Sequence, residues 1–227
     1  MNVLRKSENT NKEVVAFIMV PAWVHDARAD LKYVIENDYN MSLPMQTPFL
    51  THWINNMSED RVMNFILSSG FTNSASEKVR IIFVPCYLNG SDGIFNKSYY
   101  ELLIGMDATV FASYYEPWGY TPLESIAFGV PTITTSLTGF GLWAKTVVSG
   151  DEIKDGTAVI ERTDDNYFDV VNSIADTILK LMNEDSGTVR ENCFNLAAQA
   201  EWSKFIDYYY AAFDKAFINA QLRNKKC

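Results

Sequence analysis

Cysteine and histidine are scarce in this chain: 3 of its 227 residues are cysteine and 2 are histidine. Cys86, Cys193 and Cys227 are too few and too scattered for a disulfide framework or a cysteine-rich zinc site, and no metal-ligand spacing is present. Basic residues are also in deficit, with 19 Lys and Arg against 28 Asp and Glu and a formal charge of −9. A surface of that sign repels phosphate backbones and anionic lipid heads, which argues against nucleic-acid or membrane partners. No apolar run approaches the roughly 20 residues needed to span a bilayer. The first segment, MNVLRKSENTNKE, is polar and lacks the apolar core of a secretion signal. Gly/Ser linkers, low-complexity stretches and internal repeats are missing as well. These absences point to a soluble cytoplasmic protein. With 48% hydrophobic residues the chain has ample material for one well-buried core.

What is present is an alternation of apolar runs and helical patterns. The runs are 14–20 (VVAFIMV), 79–84 (VRIIFV), 108–112 (ATVFA), 131–135 (PTITT) and 157–160 (TAVI). Apolar on both faces, they fit strands of a parallel sheet covered by helices on both sides. Helix-like stretches lie between them at 28–36, 59–67, 99–105 and 122–128. The pattern predicts a doubly wound, Rossmann-like α/β domain. From about 164 the chain reads as a helical tail, in which Phe168, Val171, Ile174, Ala175, Ile178 and Leu181 form one apolar face. Further helices are predicted at about 188–199 and 202–223. Residues 38–58, rich in methionine, read as an irregular insertion. One domain with a helical tail accounts for the whole chain.

The segment 113–124, SYYEPWGYTPLE, follows one predicted strand and opens the next predicted helix. In open α/β sheets ligands bind at such carboxyl ends of strands. Thr121, Pro122 and Glu124 have the spacing of a capping box, with Thr121 as N-cap. A helix start there points free N–H groups and partial positive charge at whatever occupies the crevice, which suits a phosphate. Gly119 permits close approach of a ligand to the backbone. Glu116 and Glu124, with seven residues between them, can face one ligand from two directions. On spacing alone, Glu124 is equally well a helix cap and Glu116 a surface acid. The four rings Tyr114, Tyr115, Trp118 and Tyr120 favour a ligand-binding loop.

The stretch SYYEPWGYTPLES, followed by GVPTITTSLTGFG, resembles the corresponding stretch of glycogen synthases of glycosyltransferase family 3. VVAFIMVPA resembles the second strand of that family's C-terminal nucleotide-binding domain, and AEWSKFIDYYYAAF resembles its tail helix. The resemblance implies that residues 1–227 are the nucleotide-sugar-binding half of a GT-B fold. It implies that Glu116 contacts the transferred glucose. Gly119, Tyr120 and Thr121 would offer N–H groups to the diphosphate, Glu124 would hold the ribose hydroxyls, and Tyr99 would stack on the base. Read without the resemblance, Tyr99 is a core aromatic at a helix start. The implied reaction is retaining transfer of glucose from UDP-glucose, or ADP-glucose, to the 4-hydroxyl of an α-1,4-glucan, with neither cofactor nor metal. The alternatives are another GT-B transferase, of the sucrose or cell-surface glycan kind, and a non-catalytic nucleotide-binding module.

Two departures from the family pattern stand out. A leaving nucleoside diphosphate calls for cations, yet the motif is flanked only at a distance by Lys97 and Lys145. The family's arginine and lysine pair, its first nucleotide-domain strand and its acceptor-binding N-terminal domain would all precede Met1. The chain alone is therefore expected to be inactive, with the glucan acceptor held by that absent domain. The arginine-rich, sugar-phosphate-sensing helix of eukaryotic members is represented only by Arg190, so no such sensor is expected. Homo-oligomer formation is left open. Of the remaining candidates, His25 falls at a strand end and is either ligand-facing or structural. His52 and Cys86 have no catalytic partner nearby in sequence. Gly139-Phe140-Gly141 reads as a glycine turn.

Overall fold

The computed structural model describes residues 1–7, 12–37, 47–148, 150 and 152–224. The chain divides into two compact units, Met1–Gly105 and Met106–Cys227.

The first unit runs α1 (Asn2–Lys6), β1 (Val14–Ile18), β2 (Val24–Ala27), α2 (Ala29–Glu36), β3 (His52–Ile54), α3 (Arg61–Ser68), β4 (Val79–Phe83) and α4 (Tyr99–Leu103). β1 and β4, the two strands legible as apolar runs, pair in parallel from Val14 opposite Val79 to Ile18 opposite Phe83. Helix starts are set by local chemistry. Asp60 caps α3 by accepting from the Met63 N–H at 2.8 Å, and this helix buries Met63 and Ile66. Ser98 and Glu101 form a reciprocal capping box at the start of α4.

β2 and β3 have no counterpart in the sequence reading. They pair antiparallel with a shift in register, so the expected insertion 38–58 contains a strand. Its first part, 38–46, lies outside the described residues. Arg28, which directly follows β2, is fully buried and donates to the Thr47 and Leu50 carbonyls and to Asp30, with its guanidinium 4.8 Å from the centre of the Trp53 ring. Its side chain is the tie that an apolar-pattern search overlooks.

The second unit runs β5 (Thr109–Phe111), α5 (Tyr120–Ala127), β6 (Thr132–Thr135), α6 (Gly139–Val147), β7 (Thr157–Ile160), α7 (Tyr167–Leu181), α8 (Ser186–Ala197) and α9 (Trp202–Asn224). β5, β6 and β7 form a parallel sheet in chain order, with α5 and α6 as the crossovers. The sheet is covered on both faces, as the apolar runs predict. On one face Ile126, Phe140, Ala144, Val189, Cys193 and Leu196 pack with Val159. On the other, Ile133 and Ala158 pack against Ile174, Ile178 and Leu181 of α7. The fold is α/β with parallel strands and flanking helices, consistent with a Rossmann-like half of a GT-B fold.

One detail of the helical tail differs from expectation. Phe168, assigned to the apolar face of α7, is exposed, and Val170 is buried instead. The helix begins at Tyr167, so Phe168 stands in its exposed first turn, while Ile174, Ala175, Ile178 and Leu181 of the predicted face pack inward. The three tyrosines 208–210 are all exposed on α9, where the Tyr209 ring contacts Trp202 and Phe213.

Burial pushes the Cys86 thiol up to about 11 and the Cys193 thiol up to about 12. An unfolded chain releases those protons near pH 8.5. From about pH 9 toward pH 11–12 the native state therefore holds protons that the unfolded state has lost, and stability falls as pH rises. Urea unfolding at pH 8 and pH 10 should show a smaller pH-dependent loss for Cys193→Ala than for the unsubstituted chain. An identical loss would contradict this account.

Candidate functional site

At the carboxyl edge of the β5–β6–β7 sheet, the segment leaving β5 is laced to the segment leaving β6. Thr135 Oγ1 donates to the Ser113 carbonyl at 2.7 Å. The Glu116 N–H donates to the Leu137 carbonyl at 3.2 Å, the Gly139 N–H to the Glu116 carbonyl at 3.1 Å and the Phe140 N–H to the Trp118 carbonyl at 2.7 Å. Glu116 thereby pairs with Thr138 as a one-residue parallel bridge. The Gly139-Phe140-Gly141 segment is the first turn of α6, with Thr138 as N-cap, and not a free turn. Both glycines are required by close approach. A β-carbon on Gly139 would lie 2.2 Å from the Pro117 carbonyl oxygen, and one on Gly141 would lie 2.4 Å from that of Thr135.

α5 starts at Tyr120, with Gly119 as its N-cap at φ 104°, and the Thr121–Glu124 capping box does not form. The left-handed conformation open to glycine turns the chain into the helix two residues before Pro122. Thr121 is thus the second helical residue, and Pro122 the third, where a missing N–H still costs nothing. The two helix starts of this edge differ. In α6 the first N–H groups are consumed by Glu116, Trp118 and the Thr138 side chain. In α5 no side chain caps the end, and among the described residues the Tyr120 and Thr121 N–H groups have no acceptor. That end carries unneutralised N–H dipoles.

The predicted residues of this loop come together around the α5 start. Glu116 is half-buried and its side chain lies on Gly119, where a β-carbon would sit 3.3 Å from Glu116 Cγ. Tyr120 is exposed, and Glu124, one turn further and half-buried, shares its helix face. Tyr99 belongs to the first unit. It is the first residue of α4, half-buried rather than core, with its N–H on the Leu88 carbonyl and its ring edge-on to Tyr100.

The four loop aromatics do not act alike. Tyr114, Tyr115 and Tyr120 are exposed, whereas Trp118 packs among Phe140, Trp143 and Phe205. Trp118 is the anchor that holds the loop down. The flanking lysines are engaged elsewhere, Lys145 with Glu161 at 3.2 Å and Lys97 with Glu101 at 3.7 Å. The cation that the sequence reading missed is Arg162, buried just beyond β7, whose Nη1 donates to the Ala112 carbonyl at 2.7 Å. Its place at a strand's carboxyl end was the available signal.

Outside this edge, His25 is exposed on β2. His52 is buried, with Nδ1 2.9 Å from Thr51 Oγ1 and Nε2 2.7 Å from the Asp92 carbonyl. Tertiary structure also brings Cys86 and the Asp92 carboxylate within 4.8 Å of the His52 ring nitrogens. Burial and the Asp92 charge raise the Cys86 thiol's pKa, so it stays protonated near neutrality and is not an activated nucleophile. The Asp92 carboxylate accepts from the N–H groups of Ile94, Phe95 and Asn96. This cluster reads as a hydrogen-bonded node of the first unit.

A family model for glycogen synthase matches residues 25–223. The chain belongs to the glycogen synthase family. It is 36% identical over 138 residues to glycogen [starch] synthase isoform 1 of Saccharomyces cerevisiae, covering 60% of this chain and 20% of the yeast protein. Against the liver glycogen [starch] synthase of Homo sapiens the identity is 34% over 132 residues, covering 58% of this chain and 18% of the human protein. Against the Caenorhabditis elegans glycogen [starch] synthase it is 30% over 184 residues, covering 79% and 26%. The chain thus spans between 18% and 26% of the length of these curated relatives. No helix among the described residues is long and apolar enough to cross a membrane.

Gly139→Ala would drive a methyl group into the Pro117 carbonyl and unlace the loop. Overpacking of this kind costs about 1–3 kcal/mol. Thermal unfolding should detect that loss, together with faster amide exchange at Glu116. A variant as stable as the parent, with the Glu116 amide still protected, would contradict the role given to Gly139.

Proposed function

We propose that this chain is the nucleotide-sugar-binding part of a glycogen-synthase-like glucosyltransferase, with UDP-glucose as donor and the 4-hydroxyl end of an α-1,4-glucan as acceptor. The observation that carries the reading is the uncapped start of α5 with Glu116 folded over Gly119. The N–H groups of Tyr120 and Thr121 would take the diphosphate oxygens, and the positive end of the helix would offset their charge. Glu116, next to that position, would meet the transferred glucose. Glu124, one turn along, would accept from the ribose hydroxyls. Tyr99 is proposed to stack on the base, a role carried by the family resemblance. The reading calls for no metal ion, since main-chain dipoles meet the phosphate charge. A stack on one tyrosine does not distinguish bases, so ADP-glucose remains the competing donor.

We further propose that the protein works in the cytoplasm and that the chain alone extends no glucan. Both lysines that flank the motif in sequence are held by glutamates, and the chain spans only a fraction of its relatives' length. Regulation by a sugar phosphate is not proposed, since α8 contributes only Arg190, whose guanidinium lies 5.4 Å from the centre of the Phe194 ring.

Calorimetry with UDP, ADP and UDP-glucose tests the reading. UDP should bind, and Glu124→Ala should weaken it about 10- to 100-fold, as loss of a hydrogen bond to a charged group does. Tyr99→Ala should weaken it about 10-fold, the worth of one base stack. UDP binding unaffected by both substitutions would overturn the site. Labelled glucose appearing in glycogen with this chain as sole enzyme would overturn its inactivity.

A further inference from the structure

We propose that Arg162 is a positioning residue for the loop that carries Glu116, acting through a stack on Tyr114 and a hydrogen bond to the end of β5. This rests on reading that loop as the donor site. Arg162 is 7% exposed, and its guanidinium carbon lies 3.5 Å from the centre of the Tyr114 ring. Nη1 donates to the Ala112 carbonyl at 2.7 Å, while the Arg162 main-chain N–H donates to Ser136 Oγ at 3.0 Å. One residue beyond β7 therefore touches the exits of β5 and β6 together. These are the two segments whose lacing sets where Glu116 and the α5 start stand.

The arrangement needs an arginine in particular. The planar guanidinium stacks on a ring while one edge donates in its own plane; an ammonium group cannot do both. Its Nε is buried and has no hydrogen-bond partner among the described residues. Burying a charge with an unpaired donor is unfavourable for stability, and an apolar side chain would fill the space with less loss. An arginine in that place serves a demand other than stability, namely the direction in which the chain leaves β5. Tyr114 supplies the other half. Its exposed ring lies between the guanidinium and solvent, shielding the bond to Ala112. Misplacing a site by about 1 Å is enough to lose a large factor in function, so a strut at the loop's root has leverage over Glu116, four residues beyond Ala112.

The test compares the full chain with Arg162→Lys, Tyr114→Leu and Tyr114→Phe, using UDP affinity by calorimetry, amide exchange at Glu116, Gly139 and Phe140, and thermal midpoints. Arg162→Lys and Tyr114→Leu should each weaken UDP about 10-fold and speed exchange at those three amides. The double variant should be no worse than either single one, and Tyr114→Phe, which preserves the stack, should keep the slow exchange. A lowered midpoint with unchanged affinity and unchanged exchange would overturn the proposal and leave Arg162 a stability residue. Should the unsubstituted chain bind no UDP, the functional reading fails, and the exchange rates alone decide on the strut. If Arg162→Lys does not fold, the two Tyr114 variants decide it.

Discussion

The short ladder between the exits of β5 and β6 sets which main-chain donors the second unit leaves open. Its bonds run from Glu116 to Leu137, from Gly139 to Glu116 and from Phe140 to Trp118. They consume the donors at the start of α6, so that helix end has nothing left to offer. The start of α5, a few residues away in sequence, keeps its donors because Gly119 enters the helix without a capping side chain. Two helices of the same sheet edge therefore differ, one with its first N–H groups consumed by the loop and one with them open. The difference follows from which N–H groups the loop lacing uses.

Beneath this edge the sheet is unusually rich in hydroxyl groups. All four residues of β6 are buried, and three of them are threonines. Thr109 Oγ1 lies 2.7 Å from Ser125 Oγ and donates to Thr132 Oγ1 at 2.9 Å. Ser125 Oγ donates to the Val130 carbonyl, and Thr138 Oγ1 to that of Thr135. β-branched threonine suits a strand, and each hydroxyl finds a partner, so the network fixes register without leaving buried groups unpaired. Valine in place of Thr135 would keep the shape and lose the bond to Ser113, at the root of the loop that carries Glu116.

Local fields, rather than net charge, decide where an acidic chain exposes positive potential. The formal charge is −9, yet the loop after β5 meets the open end of a helix dipole and stands over a buried arginine. Its flanking lysines are paired with glutamates at the surface. Exposed pairs of that kind are screened by water and salt. Oriented main-chain N–H groups at a partly desolvated edge are not.

How much was legible from residue types follows a physical line. The parallel strands and most helices were readable, because burial on both faces leaves continuous apolar runs and helices leave periodic ones. The motif around Glu116 and Glu124 was readable as a unit because it is contiguous. The helix start was placed two residues late, since a left-handed glycine entry competes with a capping box that looks as good in sequence. β2 and β3 escaped notice because they are short and half exposed, tied in by Arg28 rather than by an apolar pattern. The partners of Arg162, the clash that makes Gly139 obligatory and the His52–Cys86–Asp92 node were invisible for another reason. Each depends on groups far apart in the chain, such as Ala112 and Arg162, whose meeting is decided by strand pairing and not by spacing. Sequence alone determined most of the elements and which loop carries the acids. Tertiary structure decided which donors stay unpaired, because hydrogen bonds between distant segments are settled only once the strands stand side by side.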